Sequence, residues 1–238
     1  MSGHSKWSTI KRQKGLADVK RAKLFTKLIK AITVAARNGA DVISNIKLRA
    51  AVDAARAANM PKDTVERAIE RGSGGGEGTA LEEVMYEIYG PGGVALVVGV
   101  VTDNRNRTLT EIKQILNKHQ ARLADSGSVR WQFESKGIVQ LPLPKSSDKE
   151  SLELELIEAG AEDIKEQGDQ LVILTPPVNL TEVKRLLDNK GLTPDYTGIE
   201  LVAQSPLLVD AKISISLNNL VEDLDSNDDV NSIYTNEA

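Results

Sequence analysis

The chain of 238 residues contains no cysteine, only two histidines and only 3% aromatic residues. Without cysteine there is no disulfide, thiol nucleophile, iron–sulfur cluster or cysteine zinc site. His4 and His119 are too few for a histidine-based metal or catalytic centre. The longest apolar run, residues 94–101, falls far short of the ~20 residues that span a bilayer. The N-terminus also lacks the apolar segment of a signal peptide, so we expect a cytoplasmic protein.

Charge is divided unevenly along the chain. The formal net charge is −4, from 30 Lys and Arg against 34 Asp and Glu. Residues 1–71 hold 16 basic and 6 acidic residues, a balance of +10, whereas residues 72–238 hold 14 basic and 28 acidic residues, a balance of −14. Such asymmetry indicates a polyanion-binding segment on a globular body. We expect the basic part to face the polyanion and the acidic part to face away from it.

The basic part is predicted to be a three-helix bundle. Apolar residues recur at helical spacing over residues 16–38 and again over 48–58. Pro61 opens a third helix that ends at Gly72. The glycine-rich residues 72–78 then indicate a flexible linker and a domain boundary.

The rest of the chain has the pattern of an α+β protein. Residues 84–89 and 94–102 flank a hairpin signal, and residues 128–134 alternate as a further strand. Residues 137–204 follow the order β-α-β-β-α-β, which is the ferredoxin-like order, with the first helix over residues 149–158. A last strand is expected over residues 230–235. The predicted fold class is α+β, with an N-terminal three-helix bundle followed by two α+β (ferredoxin-like) domains, one inserted into the other. The predicted domains are residues 1–78, residues 79–136 plus 205–238, and the inserted residues 137–204.

The strongest candidate site lies near the N-terminus. Nine basic residues and one acid, Asp18, lie between Met1 and Lys30. Four lysines at 3-4-3 spacing, which we call the lysine face, lie opposite the apolar side of the first predicted helix. Ammonium groups suit phosphate, so we expect salt-sensitive binding to a nucleic-acid backbone. The lysine face is Lys20, Lys23, Lys27 and Lys30, and the predicted contacts add Arg21 and the upstream basic arm, Lys6, Lys11, Arg12 and Lys14.

Two alternatives for the lysine face are a solvated helix surface and an amphipathic helix on an anionic membrane. The near absence of interspersed carboxylates argues against the first. Phe25 is the only bulky aromatic residue of this helix, and two further helices need its apolar side for their own core. Nucleic acid is therefore the preferred partner, and no membrane is expected.

Two loops supply further candidate contacts. The turn Asn59-Met60-Pro61-Lys62 either projects Lys62 from the tip of the bundle or forms an ordinary helix–helix corner. Residues 102–108, Thr-Asp-Asn-Arg-Asn-Arg-Thr, lead from a strand into a helix. There, Arg105 and Arg107 could bind an anion with the backbone N–H groups, or the acidic and amide side chains could simply cap the helix.

Three segments partly match known motifs for cofactor or metal binding, and each match is incomplete. Gly90-x-Gly92-x-x-Ala95 precedes a strand rather than a helix, and residues 72–78 lack the Lys-Ser/Thr of a phosphate-binding loop. Asp223-x-Asp225-x-Asn227 begins like a calcium loop, but Asp228 and Tyr234 stand where that loop has Gly and Glu. We therefore expect a protein that is no enzyme and has no cofactor, metal or small-molecule substrate.

Several motifs lie in order across essentially the whole chain, namely Gly3-His4-Ser5-Lys6-Trp7, residues 20–28, 59–63, 67–69, 89–93 and 102–108, Gly127-Ser128-Val129, and Phe133. Together they resemble the YebC/PmpR family. The resemblance implies three domains and a cytoplasmic regulator without catalytic residues, which contacts nucleic acid through the basic N-terminal region. Members commonly have His-Gly-Gly where this chain has His119-Gln120-Ala121, and Asp-Pro where it has Asp41-Val42.

Three functions follow as hypotheses. The first is a non-enzymatic, DNA-binding transcriptional regulatory protein. The second is a ribosome-associated, rRNA-binding translation factor that assists synthesis through proline-rich stretches, as some members of the resembled family are described. The third is a protein–protein adaptor that uses the acidic α+β body. Lysines that recognise backbone and shape suit the first two equally, whereas the shortage of Arg, Asn and Gln for base readout favours the second.

Overall fold

The computed structural model describes residues 18–75, 81–144 and 149–238. The chain forms two compact units, one running to Glu134 and resuming at Val202–Ala238, the other being Ser135–Leu201. N-terminal helices are followed by two small antiparallel sheets, which confirms the predicted fold class. The domain boundaries at residues 78, 136 and 204 stay predictions.

The helices and strands are numbered in chain order. The N-terminal helices are α1 (Asp18–Ala36), α2 (Ile46–Ala57) and α3 (Lys62–Glu70). They are followed by β1 (Glu82–Tyr89), β2 (Ala95–Thr102), α4 (Arg105–Lys118), β3 (Arg122–Leu123) and β4 (Phe133–Pro142). The remaining elements are α5 (Lys149–Glu158), β5 (Asp163–Gln167), β6 (Gln170–Thr175), α6 (Leu180–Asn189), β7 (Tyr196–Ala203), α7 (Ala211–Ser226) and β8 (Val230–Thr235).

The three N-terminal helices bury one shared core. Leu28 of α1 and Leu48 of α2 are fully buried, and Ala68 of α3 packs in the same cluster. The apolar residues of each helix recur at spacings of three and four, so each helix presents one continuous apolar side to the other two. Packing of these sides forms the predicted bundle.

Gly72 belongs to the bundle and not to a flexible linker. It lies in a π turn, Arg71–Gly75, that extends α3. A Cβ atom on Gly72 would lie 2.2 Å from the carbonyl oxygen of Thr33 in α1, so only glycine allows this close approach. The prediction that the linker starts at residue 72 is therefore wrong, and residues 76–78 of that linker lie outside the described residues.

The first sheet has the strand order β3-β1-β2-β8. β1 and β2 form its antiparallel central hairpin, and β8 pairs antiparallel with β2. All eight residues of β2 are buried, as suits a central strand of mostly Val and Leu. Ile112 of α4 and Leu220 of α7 are fully buried in the core of this sheet. The C-terminal helix and strand thus complete a domain whose first strand lies more than a hundred residues earlier.

The second sheet has the strand order β5-β6-β4-β7, which is the ferredoxin-like order. β6 pairs antiparallel with both β4 and β5. The core of this unit contains Val139 and Ile173 from the sheet, Leu156 from α5 and Leu187 from α6, all fully buried. The first sheet differs in order because it places a hairpin, β1–β2, at its centre.

The strand predicted over residues 128–134 is wrong for most of its length. A turn and a 3-10 helix, Arg130–Gln132, occupy this segment, and β4 begins only at Phe133. The cause is the buried carboxylate of Glu87, which accepts hydrogen bonds from the backbone N–H groups of Gly127 (2.5 Å), Val129 (2.6 Å) and Arg130 (2.7 Å). Burial would raise the pKa of Glu87, but these three hydrogen bonds outweigh it and lower the pKa below its usual value.

The end of α4 explains the glycine that resembling sequences carry at position 120. Gln120 has φ of 55°, in the left-handed region. The N–H of Gln120 donates to Asn117 O (3.4 Å) and the N–H of Ala121 donates to Leu116 O (2.9 Å), which is the Schellman pattern of a helix C-terminus. Its left-handed position favours glycine.

Gln120→Gly is therefore expected to raise the free energy of unfolding by about 1 kcal/mol, because it removes a left-handed non-glycine residue. Urea unfolding of the full chain measures the change. Gln120→Ala is the matched control, since alanine keeps the same backbone cost and should give no gain. A glycine variant no more stable than the alanine variant would contradict this explanation.

Candidate nucleic-acid interface

The lysine face of α1 meets the end of α7 and the loop that follows it, which we call the acidic segment, Asp223–Asp229. Lys27 is only 7% exposed. Its ammonium group and those of its two neighbours on the face all donate to this segment. The contacts are Lys23 Nζ to Ser226 O (3.2 Å), Lys27 Nζ to Asp225 O (2.5 Å) and Oδ1 (2.7 Å), and Lys30 Nζ to Asp228 O (3.0 Å) and Asp229 Oδ1 (2.5 Å).

These contacts correct the expectation of an open row of ammonium groups. Lys27 and Lys30 are ion-paired within the protein, and Lys23 stays exposed but donates to a carbonyl group at the end of α7. A helix C-terminus attracts cations because its last carbonyl groups lack helical partners and carry partial negative charge. The acidic part of the chain therefore does not simply face away from the basic part, since one acidic segment binds α1 directly.

Asp229 is the centre of this interface. Only 6% of the residue is exposed, and its carboxylate accepts hydrogen bonds from four side chains. The basic donors come from α1 and α4, and two hydroxyl groups complete the set. The donors are Lys30 Nζ (2.5 Å), Arg107 Nη2 (2.8 Å), Thr108 Oγ1 (2.6 Å) and Thr102 Oγ1 (3.2 Å).

The environment of Asp229 favours its charged form. Burial would raise the pKa, but hydrogen bonds from Lys30, Thr108 and Arg107 outweigh burial and lower the pKa to about 2. The corresponding pKa in the unfolded chain is about 3.9. A folded-state pKa below the unfolded one contributes stability above pH 4, and this contribution is lost as the pH falls from about 4 to about 2.

Acidification is therefore expected to remove about 2 kcal/mol of stability through Asp229 alone, from the shift of roughly two pKa units. Urea unfolding of the wild type and of Asp229→Asn at pH 7, 4 and 2.5 measures it. The difference in stability between the two proteins should be largest at pH 7 and shrink towards pH 2.5. A difference that is constant over this range would show that the charge of Asp229 is not the cause.

The loop of residues 102–108 has the helix-capping arrangement. The side chain of Asn104 accepts a hydrogen bond from the Arg107 N–H (3.1 Å), as an N-cap residue does. Arg107 also binds Asp103 (2.9 Å) and Asp229 (2.8 Å), so its guanidinium joins this loop to the acidic segment. Arg105 is exposed at the first position of α4. Both arginines are exposed, and Arg107 is the one engaged in ion pairs, so Arg105 is the preferred candidate contact.

The tip of the helical bundle exposes a lysine. Asn59 has φ of 58° and reverses the chain between α2 and α3. The Lys62 side chain is 86% exposed and lies 3.3 Å from Glu66, an exposed ion pair of the kind that contributes little stability. Both sequence alternatives for this turn thus coexist, a helix–helix corner that also projects a lysine.

The basic arm, Lys6, Lys11, Arg12 and Lys14, lies outside the described residues. For Lys20 and Arg21 the structure gives the α1 backbone alone. Their contacts with nucleic acid stay predictions. Of the nine predicted positions, the structure brings three, Lys23, Lys27 and Lys30, into one interface with the acidic segment.

Two features of this unit were not predicted from the sequence. One is the role of Asp229, for which the only signal was the cluster of acids at residues 223–229, read above as an incomplete calcium motif. The other is Trp131, which is 68% exposed beside the turn that Glu87 holds. Residues 128–134 alternate as in a strand, and that pattern does not predict an exposed tryptophan on a turn.

The described part of the chain shows neither a cluster of metal ligands nor a membrane-spanning helix. Within residues 18–75, 81–144 and 149–238, no group of three or more His, Cys, Asp or Glu side chains could hold a metal ion. Over the same ranges, every helix is too short or too polar to cross a bilayer.

Comparison with known proteins gives consistent matches over nearly the whole chain. Residues 5–75 match the family described as TACO1/YebC protein N-terminal domain, and residues 81–237 match TACO1/YebC second and third domain. A protein of Geotalea uraniireducens, named probable transcriptional regulatory protein, is 45% identical over 99% of this chain and 95% of its own length. One of Syntrophus aciditrophicus, with the same name, is 47% identical over the same shares of the two chains.

A solved structure has the same fold. The crystal structure of a conserved hypothetical protein from Aquifex aeolicus superposes with a TM-score of 0.86 at 40% identity, covering 98% of this chain and 97% of that one. Identity of this size over nearly full length, together with the two family matches, covers the helical bundle and both sheets. The chain therefore belongs to the TACO1/YebC family.

Proposed function

We propose that this protein is a non-enzymatic, cytoplasmic regulator of gene expression that binds the phosphate backbone of a nucleic acid through its basic arm and the start of α1. The observation that carries the proposal is the charge of the N-terminal region, nine basic residues and one acid up to Lys30. Lys27 and Lys30 are paired with carboxylates inside the protein. Phosphate binding is therefore assigned first to the arm, Lys20, Arg21 and Lys23.

DNA is the first candidate target. The relatives from Geotalea uraniireducens and Syntrophus aciditrophicus are both named probable transcriptional regulatory proteins, which supports a role in transcription. A lysine-rich arm would bind DNA through its phosphates, with strong salt dependence and modest sequence preference.

Ribosomal RNA is the second candidate, and one structural observation favours it. A helix that reads DNA bases lies in the major groove with one side free. Half of the lysine face of α1 is instead occupied within the protein, where Lys27 and Lys30 bind Asp225 and Asp229. Recognition of backbone and shape, without a free recognition helix, suits folded RNA on the ribosome.

Sedimentation of cell lysate through a density gradient tests the proposal and separates the targets. Lys11→Glu/Lys14→Glu alters the arm, and Lys113→Glu/Lys212→Glu makes the same change of net charge at two exposed lysines of α4 and α7. Salt-sensitive co-migration with ribosomes that only the arm variant loses would support the translation role. Absence from ribosomes with a discrete DNA footprint would support transcription. Unchanged partners in the arm variant would contradict both and leave the protein–protein adaptor.

A further inference from the structure

An exposed tryptophan lies on a firmly held turn of the first unit. The Trp131 side chain belongs to the 3-10 helix Arg130–Gln132, and 68% of the residue is exposed. The turn just before it is fixed by Glu87, whose carboxylate accepts hydrogen bonds from three of the four backbone N–H groups of residues 127–130. Large aromatic side chains are ordinarily buried, so an exposed indole on a fixed turn is available for a ligand.

Trp131 shares one hydrogen-bond acceptor with a second aromatic residue. The indole Nε1 of Trp131 donates to Ser128 O at 2.9 Å, and the hydroxyl of Tyr89 donates to the same oxygen at 3.2 Å. The polar atoms of the two side chains thereby converge on one carbonyl oxygen. The indole N–H is already satisfied, so the free part of Trp131 is its π surface.

A guanidinium group completes this surface. Arg122 of β3 pairs with Tyr89 of β1 across the sheet, and its Cζ lies 5.1 Å from the centroid of the Tyr89 ring. Arg122 is exposed, and the described residues give it no carboxylate partner. We call Tyr89, Arg122 and Trp131 the aromatic platform. It places a cation against the ring of Tyr89 in a part of the chain that is acidic as a whole.

We propose that the aromatic platform is a second nucleic-acid contact, which binds an unpaired base of a single strand. The Trp131 indole would stack on the base, and Arg122 would contact a neighbouring phosphate while its stem rests on Tyr89. This inference rests on the proposed function, because it assumes that the polyanion held by the arm is a nucleic acid. It adds the class of ligand, a stretch of unpaired nucleotides, and a site that begins 75 residues after the arm, at Tyr89.

The chemistry of the platform favours a nucleic acid over a protein partner. Every base offers a π face, and stacking on aromatic side chains binds single strands with little sequence preference. A guanidinium adjacent to the rings matches the phosphate that accompanies each base. Trp, Tyr and Arg are also frequent in protein interfaces, so loss of a protein partner is one outcome of the variant tests.

Trp131 itself can report on binding. The chain has two tryptophans, so Trp7→Phe leaves Trp131 as the only indole fluorophore of the full-length protein. The probes are a 12-nucleotide oligouridylate and an abasic strand with the same number of phosphates. Stacking predicts quenching of Trp131 emission by oligouridylate and much weaker quenching by the abasic strand at equal occupancy.

Substitutions at Trp131 measure how much the platform contributes to the affinity for a single strand. Trp131→Ala is expected to weaken oligouridylate binding about 5- to 100-fold, the range for loss of one stacked base, and Trp131→Phe should recover part of it. Binding to the abasic strand should hardly change. Ile215→Ala removes another exposed apolar side chain, 63% exposed on α7, and is the matched control that should bind like the wild type.

The outcomes separate the platform from the arm. If charge reversal in the arm abolishes oligouridylate binding while Trp131 emission is insensitive to binding in the parent protein, the proposed function stands and the platform is wrong. If Trp131 is quenched but reversal in the arm leaves affinity unchanged, the platform stands and the arm assignment is wrong. If Trp131→Ala binds oligouridylate as tightly as the parent protein, the platform is not a nucleic-acid contact. This conclusion holds even if the variant loses a protein partner, since Trp131 would then serve that partner.

Discussion

Asp229→Ala is expected to lower the free energy of unfolding by about 3 kcal/mol, the scale observed when one partner of a buried ion pair is removed. The substitution leaves Lys30 and Arg107 close together without the carboxylate that now lies 2.5 Å and 2.8 Å from them. It also removes one acceptor of the hydroxyl groups of Thr102 and Thr108, residues that are both fully buried. Urea unfolding of the full chain at pH 7 measures the loss.

Asp103→Ala is the matched control for this prediction. Asp103 binds the same guanidinium, that of Arg107, at 2.9 Å, but its side chain is 42% exposed. Exposed ion pairs contribute about 0–1 kcal/mol because water and salt screen them, so this variant should lose less than about 1 kcal/mol. Similar losses in the two variants would show that burial of Asp229 does not set the size of the effect.

The stability carried by Asp229 has a structural consequence for the helical bundle. Lys30 belongs to α1, Arg107 to α4, and Asp229 immediately precedes β8, so one carboxylate joins the bundle to the first sheet. With Asp229 replaced, the bundle should unfold at lower urea than the sheet, and the single transition should broaden. The contact between α1 and the acidic segment therefore links the core of the helical bundle to the core of the first sheet.

The local elements could be predicted from the sequence because their signals are local. The predicted helix over residues 149–158 and the strand over 230–235 agree with α5 and β8 at both ends. The turn at residues 127–132 could not be predicted, since the group that shapes it is the carboxylate of Glu87, forty residues earlier. Likewise, nothing local distinguishes Gly72 from the linker glycines, because the atom it approaches belongs to Thr33.

The contacts of the candidate interface could not be predicted either, because they also join residues far apart in the sequence. Helical periodicity correctly places Lys23, Lys27 and Lys30 on one side of α1, but it gives no information on what that side meets. Their partners lie about two hundred residues away, in Asp225–Asp229, a segment whose acids also fit a solvated surface. Long-range charge pairing of this kind depends on the tertiary fold, in which β8 returns to pair with β2. These ion pairs can therefore be inferred only once the pairing of β8 with β2 is known.

Reversal of two arm charges, Lys11→Glu/Lys14→Glu, is expected to weaken binding of the full chain to nucleic acid by about 10- to 100-fold at 0.1 M salt. Each lysine that contacts a phosphate releases a condensed counterion on binding. The slope of log K against log salt concentration should therefore fall in magnitude by about 2 for a DNA duplex. The loss should be similar for unrelated sequences of equal length, since phosphate contacts carry no sequence information. Titrations of fluorescent duplexes at several salt concentrations measure both quantities.

The control pair Lys113→Glu/Lys212→Glu separates a contact from a general electrostatic effect. It changes the net charge by the same amount, so long-range attraction weakens equally in both variants. Only the arm variant should lose phosphate contacts and hence change the salt slope. If the two variants had equal salt slopes, the arm would not contact phosphates. If the loss of affinity were confined to particular sequences, the arm would contact bases. With Lys27 and Lys30 held by Asp225 and Asp229, the affinity that reversal in the arm removes should not be replaced from the rest of α1.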